Sequence, residues 1–266
     1  MPTIKENKSK WDGEYAWQDQ GDEWSAAWGG QFMQWHGTIL PRIKAHVPTN
    51  SILEIACGFG RWTQYLKDLC KHLTAIDLSE ECIQSCKQRF AEFSHIEYHV
   101  NDGTSLDMIP SGSVDFVFSY DSLVHADEHV IEAYISQLPK ILNENGVAFI
   151  HHSNLAEYHT RYSRIRKIPK LQGLLRSIGI LDRNLHWRDF SVDAKKVEAL
   201  AKQHGLRCAS QEIVLWGTKR TYIDCMSTII RNDSQTNMTN KIFKNPNFMQ
   251  EAHNLLQLSE LYSPKP

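Results

Sequence analysis

Between residues 51 and 152, short runs rich in β-formers alternate with stretches of helical periodicity. This rhythm most constrains the fold, because parallel strands need long crossovers while antiparallel ones close with short turns. "SILEIA", "HLTAID", "HIEYHV", "SVDFVFSY" and "VAFIHH" read as strands. "GRWTQYLKDLC", "SEECIQSCKQRFAEF" and "EHVIEAYISQLPKILNEN" read as the intervening helices. Ser79 is the expected N-cap of the second helix, and Pro139 is expected to kink or break the third. A fourth helix, "DAKKVEALAKQHG", ends at Gly205. "RCASQEIVLWG" and "TYIDCMSTII" lie too close together for a crossover and are expected to pair antiparallel.

The 266 residues can bury a sizeable core, and 41% apolar with 23% charged residues is ordinary for a soluble globular chain. A net charge of -2 argues against a nucleic-acid polycation. No apolar run reaches the roughly 20 residues of a membrane span. The N-terminus lacks an apolar h-region, so a cytoplasmic location is expected. The six cysteines form no C-x-x-C pair and read as reduced, packed thiols. The organisation expected is an aromatic N-terminal lid (1–45), a core (46–154 and 191–231), a basic helical cap (155–190), and a linker with a closing helix (232–266).

The first strand runs into "LEIACGFGRW". A glycine turn between strand and helix brings backbone close to a ligand and aims N–H groups at it. The next strand ends at Asp77, an acid placed to accept the two hydroxyls of a ribose. A dinucleotide fingerprint needs a third glycine where Thr63 stands, and no Walker lysine follows. At these residues the chain resembles the class I S-adenosylmethionine-dependent methyltransferases. The resemblance rests on Glu54-Ile55-Ala56-Cys57-Gly58-Phe59-Gly60, on Asp77, on "NDG" at 101–103 and on "SYDSLVH" at 119–125, in that order. Ala56 departs from the family's usual glycine. The resemblance implies an α/β, Rossmann-like, seven-stranded doubly wound sheet with an antiparallel last strand. It also implies S-adenosylmethionine as cofactor, bound by Glu54, Ala56, Cys57, Gly58, Gly60, Arg61, Asp77, Leu78, Asp102, Gly103 and Tyr120.

Five of the eight tryptophans, Trp11, Trp17, Trp24, Trp28 and Trp35, precede residue 36. They can pack the segment on the sheet, or cover a sulfonium, a cation suited to an aromatic face. In the second reading Trp24 and Trp28 touch cofactor or acceptor.

"FIHHSN" ends the fifth strand with two histidines that alternation sends to opposite faces. His151, His152, His125 and Asp121 are the candidate catalytic cluster, with one imidazole as general base and a carboxylate orienting it. Spacing leaves open which histidine is the base. No metal is expected, the ligand spacing being undiagnostic. From 161 to 188 there are eight basic residues against Asp182 alone, which points to an anionic acceptor. "IACGFGRWT", "FSYDSLVHADE", "FIHHSNL" and "HWRDFS" resemble bacterial methyltransferases of sugar, polysaccharide or natural-product pathways. That resemblance implies a small-molecule or glycan hydroxyl as acceptor, lined by His186 and Trp187, with Tyr158 and Tyr162 as further candidates. The alternatives are a small-molecule N-methyltransferase and a non-catalytic binding module of the same fold. Nucleic acid and membrane are not expected partners, and the oligomeric state is open.

Overall fold

A computed structural model describes residues 3–160, 162, 188–216, 221–234 and 240–263. In chain order the longer elements are α1 (Ile4–Ser9), β1 (Thr49–Ile55), β2 (Cys70–Asp77), α2 (Glu80–Arg89), β3 (Ile96–Val100) and β4 (Val114–Ser119). After them come α3 (Glu128–Ile141), β5 (Leu142–Ser153), α4 (Ala194–Gln203), β6 (Leu206–Leu215), β7 (Tyr222–Arg231), β8 (Lys241–Asn245) and α5 (Phe248–Tyr262). Contacts divide the chain into two compact units, one of residues 2–118 with 250–266 and one of residues 119–249. No described helix is long and apolar enough to cross a membrane.

In the first unit β1 pairs in parallel with β2 and with β4, and β2 in parallel with β3. Ile52, Leu53, Ile55, Leu73, Ala75 and Ile76 are all buried. Consecutive residues are thus covered on both faces, which parallel strands flanked by helices require. Side chains start the helices. Thr3 and Glu6 form a reciprocal capping box on α1, and the Ser79 hydroxyl accepts from Cys82 N–H at the head of α2. The helix expected after the glycine turn is short, Thr63–Leu66 continued by a 3-10 turn Lys67–Leu69, because β2 already begins at Cys70. The distal part of α5 belongs to this unit. Leu255 fills the space a Gly37 Cβ would need, and Arg42 pairs with Glu251 at 3.0 Å.

In the second unit β7 pairs antiparallel with both β5 and β6, as the short connection between β6 and β7 demands. Among the described residues the mixed sheet has eight strands, not seven. The addition is β8, parallel to β6 and falling in the stretch read from sequence as linker. Five residues stopped by Pro246 are too short to register as a strand without their partner. Pro139 leaves α3 unbroken, lying one turn from the C-terminus, where few backbone bonds remain to lose. Asp127 caps that helix through Val130 N–H, and Asp193 caps α4 through Lys196 N–H.

Candidate functional site

The residues expected to bind the cofactor lie in the first unit, except Tyr120. After β1 the chain turns through Ala56, Gly58 and Gly60 at φ +59°, +56° and +87°. Ala56 holds a left-handed conformation that costs an alanine about 1–2 kcal/mol. Asp77 ties this turn to the end of β2, one carboxylate oxygen accepting Gly58 N–H and the other Ser79 N–H, each at 2.9 Å. Burial pushes the Asp77 carboxyl up to about 6, although these N–H groups pull it back. Glu54, fully enclosed, accepts the Thr63 hydroxyl at 2.6 Å, and burial raises its pKa to about 8. Cys57 is buried with its Sγ 3.9 Å from that of Cys86. In the loop after β3, Asp102 accepts from Thr104 N–H, Thr104 Oγ1–H and Ser105 N–H. Those hydrogen bonds hold its carboxyl below the usual range. Gly103 follows at φ +86°, against Ile4 and near Leu78.

These buried acids fix a pH dependence. The folded state binds protons to Glu54 and Asp77 more tightly than the unfolded chain does, and each tenfold gain in that affinity stabilises the fold by about 1.4 kcal/mol. Their contribution is therefore full below about pH 4 and is lost as pH rises toward 8. Urea midpoints of the free protein are expected to fall between pH 5 and 8. Glu54→Gln, which keeps an acceptor for Thr63, should flatten the pH 6–8 part of the profile. An unchanged slope would refute the assignment.

The tryptophans divide. Trp28 is buried with its indole N–H on Thr38 Oγ1 at 2.9 Å, so it packs the core rather than reaching the glycine turn. Trp24 is half-buried in a cluster with Trp11, Tyr15 and Trp17, and the Arg61 guanidinium lies 5.2 Å from its ring centroid. Trp17 lies on the turn itself, stacked on Phe59 at 4.4 Å and set against Gly58. Ser79 Oγ–H donates to Asp12 at 2.5 Å. Sequence reasoning did not single out Trp17 or Asp12; their signal was membership of the aromatic run.

The candidate catalytic residues lie in the second unit. His151 and His152 point to opposite faces of β5, as alternation requires, yet both are completely buried. His152 donates from Nδ1 to Ser153 O and accepts Ser227 Oγ–H at Nε2, each at 2.8 Å. Burial lowers its pKa to about 4. With both nitrogens engaged, this imidazole has no lone pair for catalysis, and the base role expected of it finds no support. His151 Nδ1 accepts the backbone N–H of Asp121 at 3.1 Å, and its Nε2 lies 3.5 Å from Asp224 Oδ2. Arg188 grips Asp224 through Nε at 3.1 Å and Nη2 at 2.9 Å. The Tyr120 and Trp216 rings flank the His151 imidazole, with centroids at 4.6 and 6.0 Å. Tyr120 is thus placed with His151, which is joined to Asp121 of the expected cluster through the Asp121 backbone N–H. His125 stands half-buried on the turn Leu123–His125.

Tyr162 packs with Leu155 and Ile223, its hydroxyl 2.8 Å from Thr221 Oγ1. The Tyr158 hydroxyl accepts Tyr222 N–H at 3.3 Å. Both therefore have packing roles. His186 and Trp187 lie outside the described residues, as does most of the basic run. Asp224, Arg188 and Trp216 were not anticipated; the signal was a lone acid in the otherwise apolar stretch "TYIDCMSTII".

Comparison with known proteins bears directly on the glycine turn. Residues 52–146 match the family described as a methyltransferase domain. That segment is similar to methyltransferase domains. S-adenosylmethionine is the cofactor. Phosphoethanolamine N-methyltransferase 1 of Zea mays is 28% identical over 117 residues, 42% of this chain and 23% of that protein. Nodulation protein S of Sinorhizobium fredii is 36% identical over 67 residues, 25% of this chain and 31% of that protein. The chain thus spans less than a third of the length of these two relatives. Among solved structures, the DhpI-SAM-HEP complex aligns with a TM-score of 0.56 at 19% identity, covering 86% of this chain and 97% of that one. That likeness concerns the fold.

Proposed function

We propose that this protein transfers the methyl group of S-adenosylmethionine to the amine of a small, anion-bearing acceptor. The observation that carries the reading is the state of the paired histidines. His152 has both nitrogens bonded, and the lone pair of His151 is taken by Asp121 N–H. Neither imidazole is placed to take a proton from a poorly nucleophilic hydroxyl, whereas an unprotonated amine has its own lone pair and needs mainly alignment. Bound S-adenosylmethionine supplies an electrophilic methyl group on a sulfonium. The chain's residues hold its ribose at Asp77 and surround the backbone amides of the turn. Ile4, Asp12 and Trp17 touch Gly103, Ser79 and Gly58, which supports the N-terminal segment as a lid that keeps water out. The basic run from Arg161 to Arg188 supports an anionic group on the acceptor, and a relative that acts on phosphoethanolamine is consistent with it.

A second reading, methylation of a sugar-like hydroxyl, keeps His125 as base, since this histidine is half-buried on a turn four residues from Asp121. Transfer of radiolabelled methyl should separate the readings. Phosphoethanolamine and simple primary amines would be set against hexoses, nucleotide sugars and acidic glycans, with and without chelator. Label is expected on the amines, with or without chelator, at a rate that rises with the unprotonated fraction. Label confined to hydroxyls would establish the second reading. Label seen only without chelator would require a metal. Normal S-adenosylhomocysteine binding with no label in any acceptor would make the chain a binding module.

A further inference from the structure

Asp121 directly follows Tyr120 and adopts φ +64°. A non-glycine residue keeps that conformation only where its surroundings impose it. Its backbone N–H donates to His151 Nδ1 at 3.1 Å. A ring nitrogen can accept only if it carries no proton, so this bond places the proton of the neutral imidazole on Nε2. Nε2 faces Asp224 Oδ2 at 3.5 Å, and Arg188 grips both oxygens of that carboxylate. His151 and Asp224 are completely enclosed and Arg188 nearly so. Asp224 lies on β7 two residues from Met226, the register partner of His151, hence on the same face of the sheet.

We infer that Arg188, Asp224 and His151 form a positioning chain that fixes the imidazole tautomer and so holds Asp121 in its left-handed backbone, presenting an acceptor-side carboxylate. The inference rests on the amine reading above, in which that carboxylate accepts an N–H of the unprotonated amine and so orients its lone pair. None of the three buried residues touches the acceptor. Their effect reaches it through one backbone N–H. Were the proton to move to Nδ1, two N–H groups would face each other across 3.1 Å, and the Asp121 backbone would lose the partner that holds it.

Three substitutions at one position test this. His151→Asn sets an amide oxygen near the place of Nδ1 and keeps the acceptor for Asp121 N–H. His151→Gln sets its amide near Nε2 and keeps the contact with Asp224 but not the one with Asp121. His151→Leu keeps neither. With the acceptor found above, kcat should stay within about tenfold of the parent for His151→Asn and fall roughly a hundredfold for the other two. S-adenosylhomocysteine affinity and KM for S-adenosylmethionine should remain within about twofold throughout, which also verifies folding.

An imidazole acting in the chemistry itself would make His151→Asn as inactive as His151→Leu, and that result overturns the inference. Equal activity of all three variants overturns it too. Two spectroscopic measurements hold whether or not an acceptor is known. Long-range proton–nitrogen spectra should show His151 protonated on Nε2 in the parent and on Nδ1 in Asp224→Asn. Hydrogen exchange of the Asp121 amide should quicken at least tenfold in Asp224→Asn and His151→Gln but not in His151→Asn. If no acceptor is labelled by the parent, the amine reading fails while these measurements still decide the chain; uniform exchange across the variants would refute it.

Discussion

Gly60→Val is expected to abolish S-adenosylhomocysteine binding and to lower the unfolding temperature by roughly 5–20 °C. Two costs combine. Gly60 sits at φ +87°, where a side chain adds about 1–2 kcal/mol of backbone strain. A Cβ there would also stand 2.5 Å from Cε2 of Phe90 and 3.2 Å from Sγ of Cys86, and overpacking of this kind costs about 1–3 kcal/mol. Each kcal/mol moves the midpoint of a chain of this size by about 2–4 °C. The loop would also be pushed off the geometry that aims its amides. Gly112→Ala is the control, because Gly112 too has positive φ, at +64°, but opens onto empty space. It should lose only the strain and bind cofactor normally. A Gly60→Val protein that melts like the parent and still binds would refute the loop geometry.

The other large effect belongs to Arg188→Leu. The carboxylate of Asp224 is completely buried, and burial alone would raise its pKa. The Arg188 guanidinium and His151 more than reverse that, holding the group far below the usual carboxylate range. In the parent, Asp224 therefore contributes stability at every pH above about 4, lost only as pH falls toward its folded value. Removing one partner of a buried pair leaves an uncompensated charge and costs about 3–5 kcal/mol. The sign of Asp224's own contribution to the pH dependence should also reverse. Without the guanidinium, burial raises the carboxyl's pKa, and stability then declines as pH rises through that value. The fall in urea midpoint from pH 5 to pH 7.5 expected of the parent should therefore be steeper in Arg188→Leu. Pairing the change with Asp224→Leu should recover part of the loss, because two apolar groups leave no orphaned charge. A double variant weaker than Arg188→Leu would contradict this account.

Much of the donor side could be read from the chain because its signals are local. A strand, a glycine turn, Asp77 at the end of the next strand and the Ser79 cap are separated by few residues, and each carries its own conformational demand. Trp24, Trp28 and Trp35 recur at a spacing that would put them on one face of a helix. They share that face only on a continuous α-helix, but residues 22–28 form a 3-10 helix bounded by left-handed Gly21 and Gly29. The change of pitch sends Trp28 to Thr38 and leaves Trp17 on the turn. Alternation correctly separated His151 from His152 but could not say that both faces of β5 are covered. Arg188 and Asp224 escaped notice because their pairing is made across 36 residues, and a buried ion pair leaves no periodic trace.

The helix α5 carries a temporal consequence. From Gln250 onward it belongs to the unit that otherwise ends at Phe118, and there it fills the hollows left by Gly29 and Gly37. On a translating ribosome the half that carries the glycine turn is made first but cannot be finished until Leu255 and Ser259 have emerged. At roughly 5–20 residues per second the nascent half must wait about 7–28 s with those hollows unfilled.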